Sequence, residues 1–210
     1  MENPVLIIGA GDLGLKALEI FKRNNVVVYG LLDDREDLHG KEYGEISVLG
    51  STDDPTFLKI LGSKCEAFLA IGERSVRERL AKTLTKEYQV MPVNAIHDTA
   101  YIAQTATLGH GNLIASKVTI GPLSQLGHHG LILSGAILDG SVQVDDFVTI
   151  GAGAIINDRA KIGEGAFIGS GAIIVAGVEI GKGARIGAGS VVVENVPAKA
   201  TFFGNPARKV

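Results

Sequence analysis

From Ile102 to Val192 every sixth residue is Ile, Leu or Val, sixteen in succession without a break. A period of six matches neither the ~3.6 of an amphipathic helix nor the ~2 of a half-buried strand. Two places ahead of the later members stand small or β-branched residues (Ala154, Ala160, Ala166, Ala172, Val178, Ala184, Ser190), and eight of the sixteen are followed directly by Gly. A unit of six with one aliphatic side chain cannot bury that side chain alone; it buries it against the same position in the next turn, which is the logic of a parallel β-helix. Three units, eighteen residues, make one three-sided coil, so the series predicts roughly five coils over about residues 98–194. The phase is lost after Asn195, and the tail through Gly204-Asn205-Pro206-Ala207-Arg208 is expected to fold back over the last coils.

Composition narrows the function. Aromatics are only 5% and Gly numbers 28, which suits a narrow interior with tight corners. A net charge of −3 supplies no basic field, so neither nucleic acid nor an acidic membrane surface is an expected partner. No apolar run approaches the ~20 residues that span a bilayer. Met1-Glu2-Asn3-Pro4 lacks the basic start of a signal peptide, which makes the cytoplasm the expected location. The one cysteine, Cys65, stands beside the apolar run Ala67-Phe68-Leu69 and reads as buried.

Residues 1–95 follow a different grammar. Val5-Leu6-Ile7-Ile8 is a continuous aliphatic run, the mark of a strand buried on both faces. An amphipathic helix over Lys16–Lys22, a strand over Val26–Leu32, a short one at Val48-Leu49, a strand at Ala67–Ile71 and a charged helix over Ser75–Glu87 follow. Thr52-Asp53-Asp54 reads as a helix N-cap and Val90–Val93 as a last strand. The alternation predicts a small α/β, Rossmann-like domain over residues 1–95, joined near Asn94–Asp98 to a β-helix domain over residues 96–210.

Gly9-x-Gly11-x-x-Gly14 lies between the first strand and the first helix, where glycines let a phosphate approach the backbone and the helix N-terminus offers free N–H groups. Asp33 and Asp34 end the second strand, where a carboxylate can accept from ribose hydroxyls. Three readings stand: a nucleotide or nucleotide-sugar site formed by Gly9, Gly11, Asp12, Asp33 and Asp34; a true dinucleotide site; or a tight turn without a ligand. The domain is short for a dinucleotide.

The coil length sorts the histidines. His110 and His128 are eighteen residues apart and should stack on one edge, about a strand spacing (~4.8 Å) apart, in a column continued by Asp146 and Glu164. An imidazole beside a carboxylate is an acid–base arrangement, and a solvated polar edge is the plain alternative. His128 is the candidate base, with His129 or Asp146 to orient it. No set of metal ligands is apparent. A second column, Ser116, Ser134, Ala152, Ser170 and Ala188, is small throughout. It either leaves backbone groups open to a long, thin ligand or merely makes tight corners or a subunit contact.

The whole chain resembles the hexapeptide-repeat sugar O-/N-acetyltransferases of the sialic acid O-acetyltransferase type, which include enzymes acting on UDP-4-amino sugars. The resemblance is carried by Ile7-Ile8-Gly9-Ala10-Gly11, Gly30-Leu31-Leu32-Asp33-Asp34, Val48-Leu49-Gly50-Ser51, Ala70-Ile71-Gly72, Ile96-His97, Ile186–Val192 and Gly204–Arg208. It implies a left-handed β-helix, a homotrimer, acetyl-CoA as donor and a first domain that holds the sugar nucleotide. It also places Gly187, Ala188 and Ser170 beside the thioester and pantetheine. The chain departs from the family at the chemistry itself. The family's catalytic His falls on Gly140, a second His on Thr149, the Asn of its Asn-Thr pair on Leu133, and its first-loop pattern becomes Gly11-Asp12-Leu13. His128 holds the same place in its hexad two hexads earlier, hence on a different edge. The expectation is acetyl transfer from acetyl-CoA to a sugar or nucleotide-linked amino sugar; the alternative is a weakened or inactive relative that binds sugar nucleotide or CoA.

Overall fold

A computed structural model describes residues 3–210; Met1 and Glu2, which entered the argument against a signal peptide, lie outside the described residues. The chain divides into two compact units, residues 1–98 and 99–210.

The first unit is an α/β sheet of five strands with order β3-β4-β2-β1-β5. β1 (Val5–Ile8), β2 (Val28–Leu32), β4 (Ile46–Gly50) and β5 (Glu66–Leu69) run parallel, and β3 (Glu42–Tyr43) pairs antiparallel with β4. β1 is buried along its whole length, as a central strand covered on both faces must be. Helix α1 (Asp12–Arg23) turns Gly14, Ala17, Leu18 and Phe21 inward at the 3-and-4 spacing of one face, and Phe21 meets Phe68 of β5 edge-on with ring centroids 5.6 Å apart. The four-residue helix α2 (Pro55–Leu58) is capped by Asp54, which accepts from the Thr56 N–H at 2.8 Å. In α3 (Arg74–Glu87) the fully buried Arg77 donates to the Ile71 and Gly72 carbonyls at 2.6 and 3.1 Å, tying down the loop at the end of β5; burial pushes its guanidinium down to about 10. Cys65 is buried, and desolvation raises its thiol to about 11. Val90–Val93 is not a strand. Pro92 has no N–H, the Val90 N–H is taken by the Leu84 carbonyl at the helix end, and Val93 makes one bond to Ala67.

The loop after β1 is closed by a single carboxylate. Asp33 Oδ2 accepts from the Ala10 N–H at 2.8 Å, and Arg35 grips both Asp33 oxygens at 2.8 and 3.0 Å. That arginine, with the Ala10 amide, lowers the Asp33 carboxyl to about 2 against the opposing pull of burial. Gly9 adopts φ +110°, and a side chain there would meet the Ala70 carbonyl oxygen at 2.6 Å.

The second unit is a left-handed parallel β-helix. Each coil contributes one two-residue strand to each of three walls. The first wall stacks Tyr101–Ile102, Thr119–Ile120, Ile137–Leu138, Ile155–Ile156, Ile173–Ile174 and Val191–Val192. The second runs from Thr107–Leu108 to Glu179–Ile180, and the third from Leu113–Ile114 to Arg185–Ile186. Register is eighteen residues throughout, with Ile120 opposite Leu138 and Ile150 opposite Ile168. From Ile114 to Val192 each residue of the six-residue series is at most 3% exposed. Three interior corner places hold polar side chains, all satisfied: Ser124 bridges Asp139 and Val142, Asn112 bridges Gly127 and Gly130, and the Ser190 hydroxyl accepts from the Gly204 N–H at 3.1 Å. The tail returns as Thr201–Gly204, which extends the third wall beside Arg185–Ile186 and hairpins with Ala207–Lys209.

The corners impose a second period of six. Every sixth residue from Gly111 to Gly189 is left-handed, with φ between +56° and +74°. Six of these are not glycine: Lys117, Leu123, His129, Ser141, Phe147 and Arg159. Each such Cβ is strained by about 1 kcal/mol. Leu123 is 63% exposed, so it gains little from packing in return. Leu123→Gly is expected to stabilise the helix by about 0.5–1 kcal/mol, measured by urea unfolding. The Asp33 clamp predicts an acid-labile first domain. A lowered carboxyl contributes stability that is complete above 3.8 and lost as pH falls toward 2. Thermal melts across that range should fall for the native chain, while Asp33→Asn should start lower and lose that part of the slope.

Candidate functional site

The glycine loop in its folded form differs from its expected use. Asp33, read from sequence as a ribose acceptor, is only 8% exposed and spends both oxygens on Ala10 and Arg35. It shapes the loop, and its neighbour Asp34 is the carboxylate left facing outward, with one oxygen accepting from the Thr52 N–H at 2.9 Å. Asp12 is the exposed first residue of α1. Its negative charge lies where the helix dipole is positive and opposes an incoming phosphate. The cation available to a phosphate is Arg35, whose guanidinium lies 3.6 Å from where a Gly11 side chain would begin. Arg35 is the residue that sequence reasoning missed; a Gly-rich loop signals phosphate, but only the fold shows which arginine leans over it.

On the β-helix the predicted imidazole column forms. The His110 and His128 rings stack with centroids 5.6 Å apart and planes 17° apart. His128 borders a cleft of about 470 Å³ lined also by Gln125, Asp145, Asp146 and Glu164. Lys182 pairs with Glu164 at 2.6 Å at the far end of that column. Two details change the chemistry. Asp146 Oδ1 accepts from the His128 backbone N–H at 2.7 Å, so it orients the corner and not the ring. His128 Nδ1 accepts from the His110 N–H at 3.0 Å, which leaves the neutral ring's proton on Nε2. The nitrogen turned outward is then a donor, whereas a general base must present a lone pair.

His129 does not join the cleft. It occupies a left-handed corner position (φ 56°), is 5% exposed, and stacks on Phe147 with centroids 4.9 Å apart. The corner geometry turns adjacent side chains apart, so neighbours in sequence are not neighbours in the cleft.

At the next corner, Gly140 donates its N–H to Asp139 Oδ1 and Asp158 Oδ1, each at 3.0 Å. A Cβ there would lie 2.9 Å from Asp158 Oδ1, the end of a side chain that can rotate away. Two carboxylates therefore converge on the Gly140 amide.

The small-residue edge is open. Ser134, Ala152, Ser170 and Ala188 are exposed and Ser116 half-buried, with the Ser116 and Ser134 hydroxyls 3.2 Å apart. Gly187 has its own constraint: a side chain there would collide with the Phe203 ring of the returning tail. Its smallness lets the tail seat beside this edge. Among the described residues no group of three or more His, Cys, Asp or Glu side chains is placed to hold a metal ion.

Known proteins match both units. A PglD N-terminal domain is recognised over residues 4–84, and bacterial transferase hexapeptide repeats over residues 159–193. Perosamine N-acetyltransferase from Caulobacter crescentus, in a variant with one histidine replaced by asparagine and bound to CoA and GDP-perosamine, is 27% identical; the match covers 100% of this chain and 98% of that one at a TM-score of 0.90. The acetyltransferase domain of PglB from Neisseria gonorrhoeae FA1090, in complex with acetyl coenzyme A, is 25% identical, with both chains covered in full at a TM-score of 0.91. A curated relative, uncharacterized protein L142 of Acanthamoeba polyphaga mimivirus, is 27% identical over 112 residues, 53% of this chain; the chain spans about a fifth (21%) of that relative's length. A PglD N-terminal domain thus leads into bacterial transferase hexapeptide repeats, and over its whole length the chain is similar in fold to these acetyltransferases.

Proposed function

We propose that this protein transfers an acetyl group from acetyl-CoA to the amino group of a nucleotide-linked sugar. The observation that carries the reading is the end-to-end match to structures holding CoA, acetyl-CoA and GDP-perosamine. The open edge of Ser134, Ala152, Ser170 and Ala188 supports it, because a pantetheine arm is long, thin and needs backbone groups free of bulk. In this reading Gly9, Gly11 and Arg35 meet the diphosphate, Asp34 the ribose, and Gly187 admits the tail that borders the donor. No described helix is long and apolar enough to cross a membrane. A cytoplasmic location suits a pair of soluble, phosphorylated substrates.

In the reaction the sugar nitrogen bonds to the acetyl carbon, the C–S bond breaks, and CoA leaves as its thiol. Once the nitrogen has attacked, it carries a proton far more acidic than that of a free ammonium, so a weak base suffices. Asp158 and Asp139, gathered on the Gly140 amide, are the groups at that corner able to take it. His128 lies on a different edge of the same prism and takes no part at this corner; Asp146 holds its backbone in place. General-base catalysis by a well-placed imidazole is worth about 10²–10⁴-fold, so transfer here is slow beside a relative that has one.

The first wall of the helix supports self-association. Its outward residues are Tyr101, Thr119, Ile137, Ile155, Ile173 and Val191, an apolar stripe unbroken from Ile137 to Val191, with Tyr101 63% and Ile137 37% exposed. The second wall shows Thr107, Gln125, Gln143, Lys161 and Glu179 at the same positions. A contiguous apolar strip on a flat parallel sheet marks an interface, and a homotrimer closes three such prisms around an axis. Gly140 favours one second reading, a trimer that binds both ligands without turnover.

Two experiments separate these. Thiol release from acetyl-CoA with a panel of nucleotide amino sugars should show slow turnover, and Gly140→His should raise it about 10–100-fold. Binding of both ligands with no thiol released by either protein would establish the second reading. Sedimentation should give three chains for the native protein and one for Ile155→Lys; a native monomer would refute the proposed interface.

A further inference from the structure

The carboxyl ends of β2 and β4 open onto a crevice of about 420 Å³ within the first unit, with α3 along its side. In an open parallel sheet this is where a nucleobase settles when the phosphate lies on the adjacent glycine loop. Buried Leu58 and half-buried Tyr88 supply an apolar surface for a flat ring. Around them stand three carboxylates, Asp34, Asp53 and Glu87, and one cation, Arg79. Residues 79 and 87 are eight apart on α3, about 12 Å along its axis and roughly 80° apart around it, and both line the crevice. Asp34 Oδ1 is committed to the Thr52 N–H at 2.9 Å and Asp53 Oδ1 to the Ser51 hydroxyl at 2.8 Å, and each retains a second oxygen.

Ionised carboxylates only accept hydrogen bonds. They suit a base whose edge presents adjacent donors and repel one whose edge presents carbonyl oxygens. Guanine offers N1–H and N2–H₂ side by side, the two-point spacing of a carboxylate, and its O6 and N7 match a guanidinium. Uracil and thymine set one N–H between two carbonyl oxygens. Adenine and cytosine set one amino group beside an acceptor nitrogen. We infer that this crevice selects guanine, with Glu87 or Asp53 on the N1/N2 edge, Arg79 on O6/N7 and Asp34 left to the ribose. The inference rests on the reading that the first domain holds a nucleotide sugar, and it names the nucleotide.

Calorimetric titration of the full chain with GDP, UDP, dTDP, ADP and CDP tests it. GDP is expected to bind at least tenfold tighter than each of the others. Glu87→Gln or Asp53→Asn should cut that preference to threefold or less, by weakening GDP and relieving the repulsion of the uracil carbonyl oxygens; both side chains are exposed, so neither change threatens folding. Binding of the nucleotides with less than a tenfold preference for GDP overturns the guanine assignment and leaves the nucleotide-sugar reading standing. If no nucleoside diphosphate binds, both fall. A GDP preference untouched by either variant overturns the carboxylate assignment.

Discussion

Each wall of each coil buries one large aliphatic side chain, with a smaller residue at the corner two places before it, and the rest of the second unit depends on that restriction. An Ile or Val at 0–3% exposure has the same neighbour above and below it, eighteen residues away in either direction. A slip of one residue would turn the column outward on every wall at once. In-register stacking then makes every other position a column too. The stacked imidazoles, the serine edge, the paired Lys161 and Glu179, and the apolar stripe of the first wall are all consequences of the same stack. Chemistry on such a scaffold is arranged by columns and corners, because no loop departs far enough from the coil to build a site of its own.

The first unit solves a different problem, that of placing a tight turn of glycines against a strand end. Gly9 must approach the Ala70 carbonyl, and Gly14 must pass the Gly9 carbonyl. The resulting turn leaves the Ala10 N–H buried, and Asp33 satisfies it. A buried carboxylate is costly without a partner, so Arg35 completes the set and in doing so is carried over the loop. A residue whose first duty is to neutralise a carboxylate thereby stands where an anionic ligand would need it.

Much of this was legible in residue order. The six-residue period announced the β-helix, and the aliphatic run before Gly9 announced the central strand. The eighteen-residue separation of His110 and His128 correctly stacked their rings. What escaped was anything decided by a backbone torsion or by which atom of a group is used. His129 adjoins His128 in the chain, yet a left-handed corner turns it onto Phe147. Asp146 does lie beside His128, but on its amide. The β3–β4 hairpin was missed because Glu42–Tyr43 is two residues long and has no hydrophobic pattern.

The amino-acid sequence by itself determined the two-domain architecture, the register of the coils and the columns that follow from it, because a strict hydrophobic period leaves one way to bury itself. Only the tertiary structure decided that Asp33 clamps a loop and does not face a ribose, that Arg35 leans over the glycines, that the outward nitrogen of His128 carries a proton, and that Asp139 and Asp158 meet at Gly140. Those outcomes turn on hydrogen bonds between residues distant in the chain, whose donors and acceptors are chosen by atomic position, and composition and spacing carry no record of that choice.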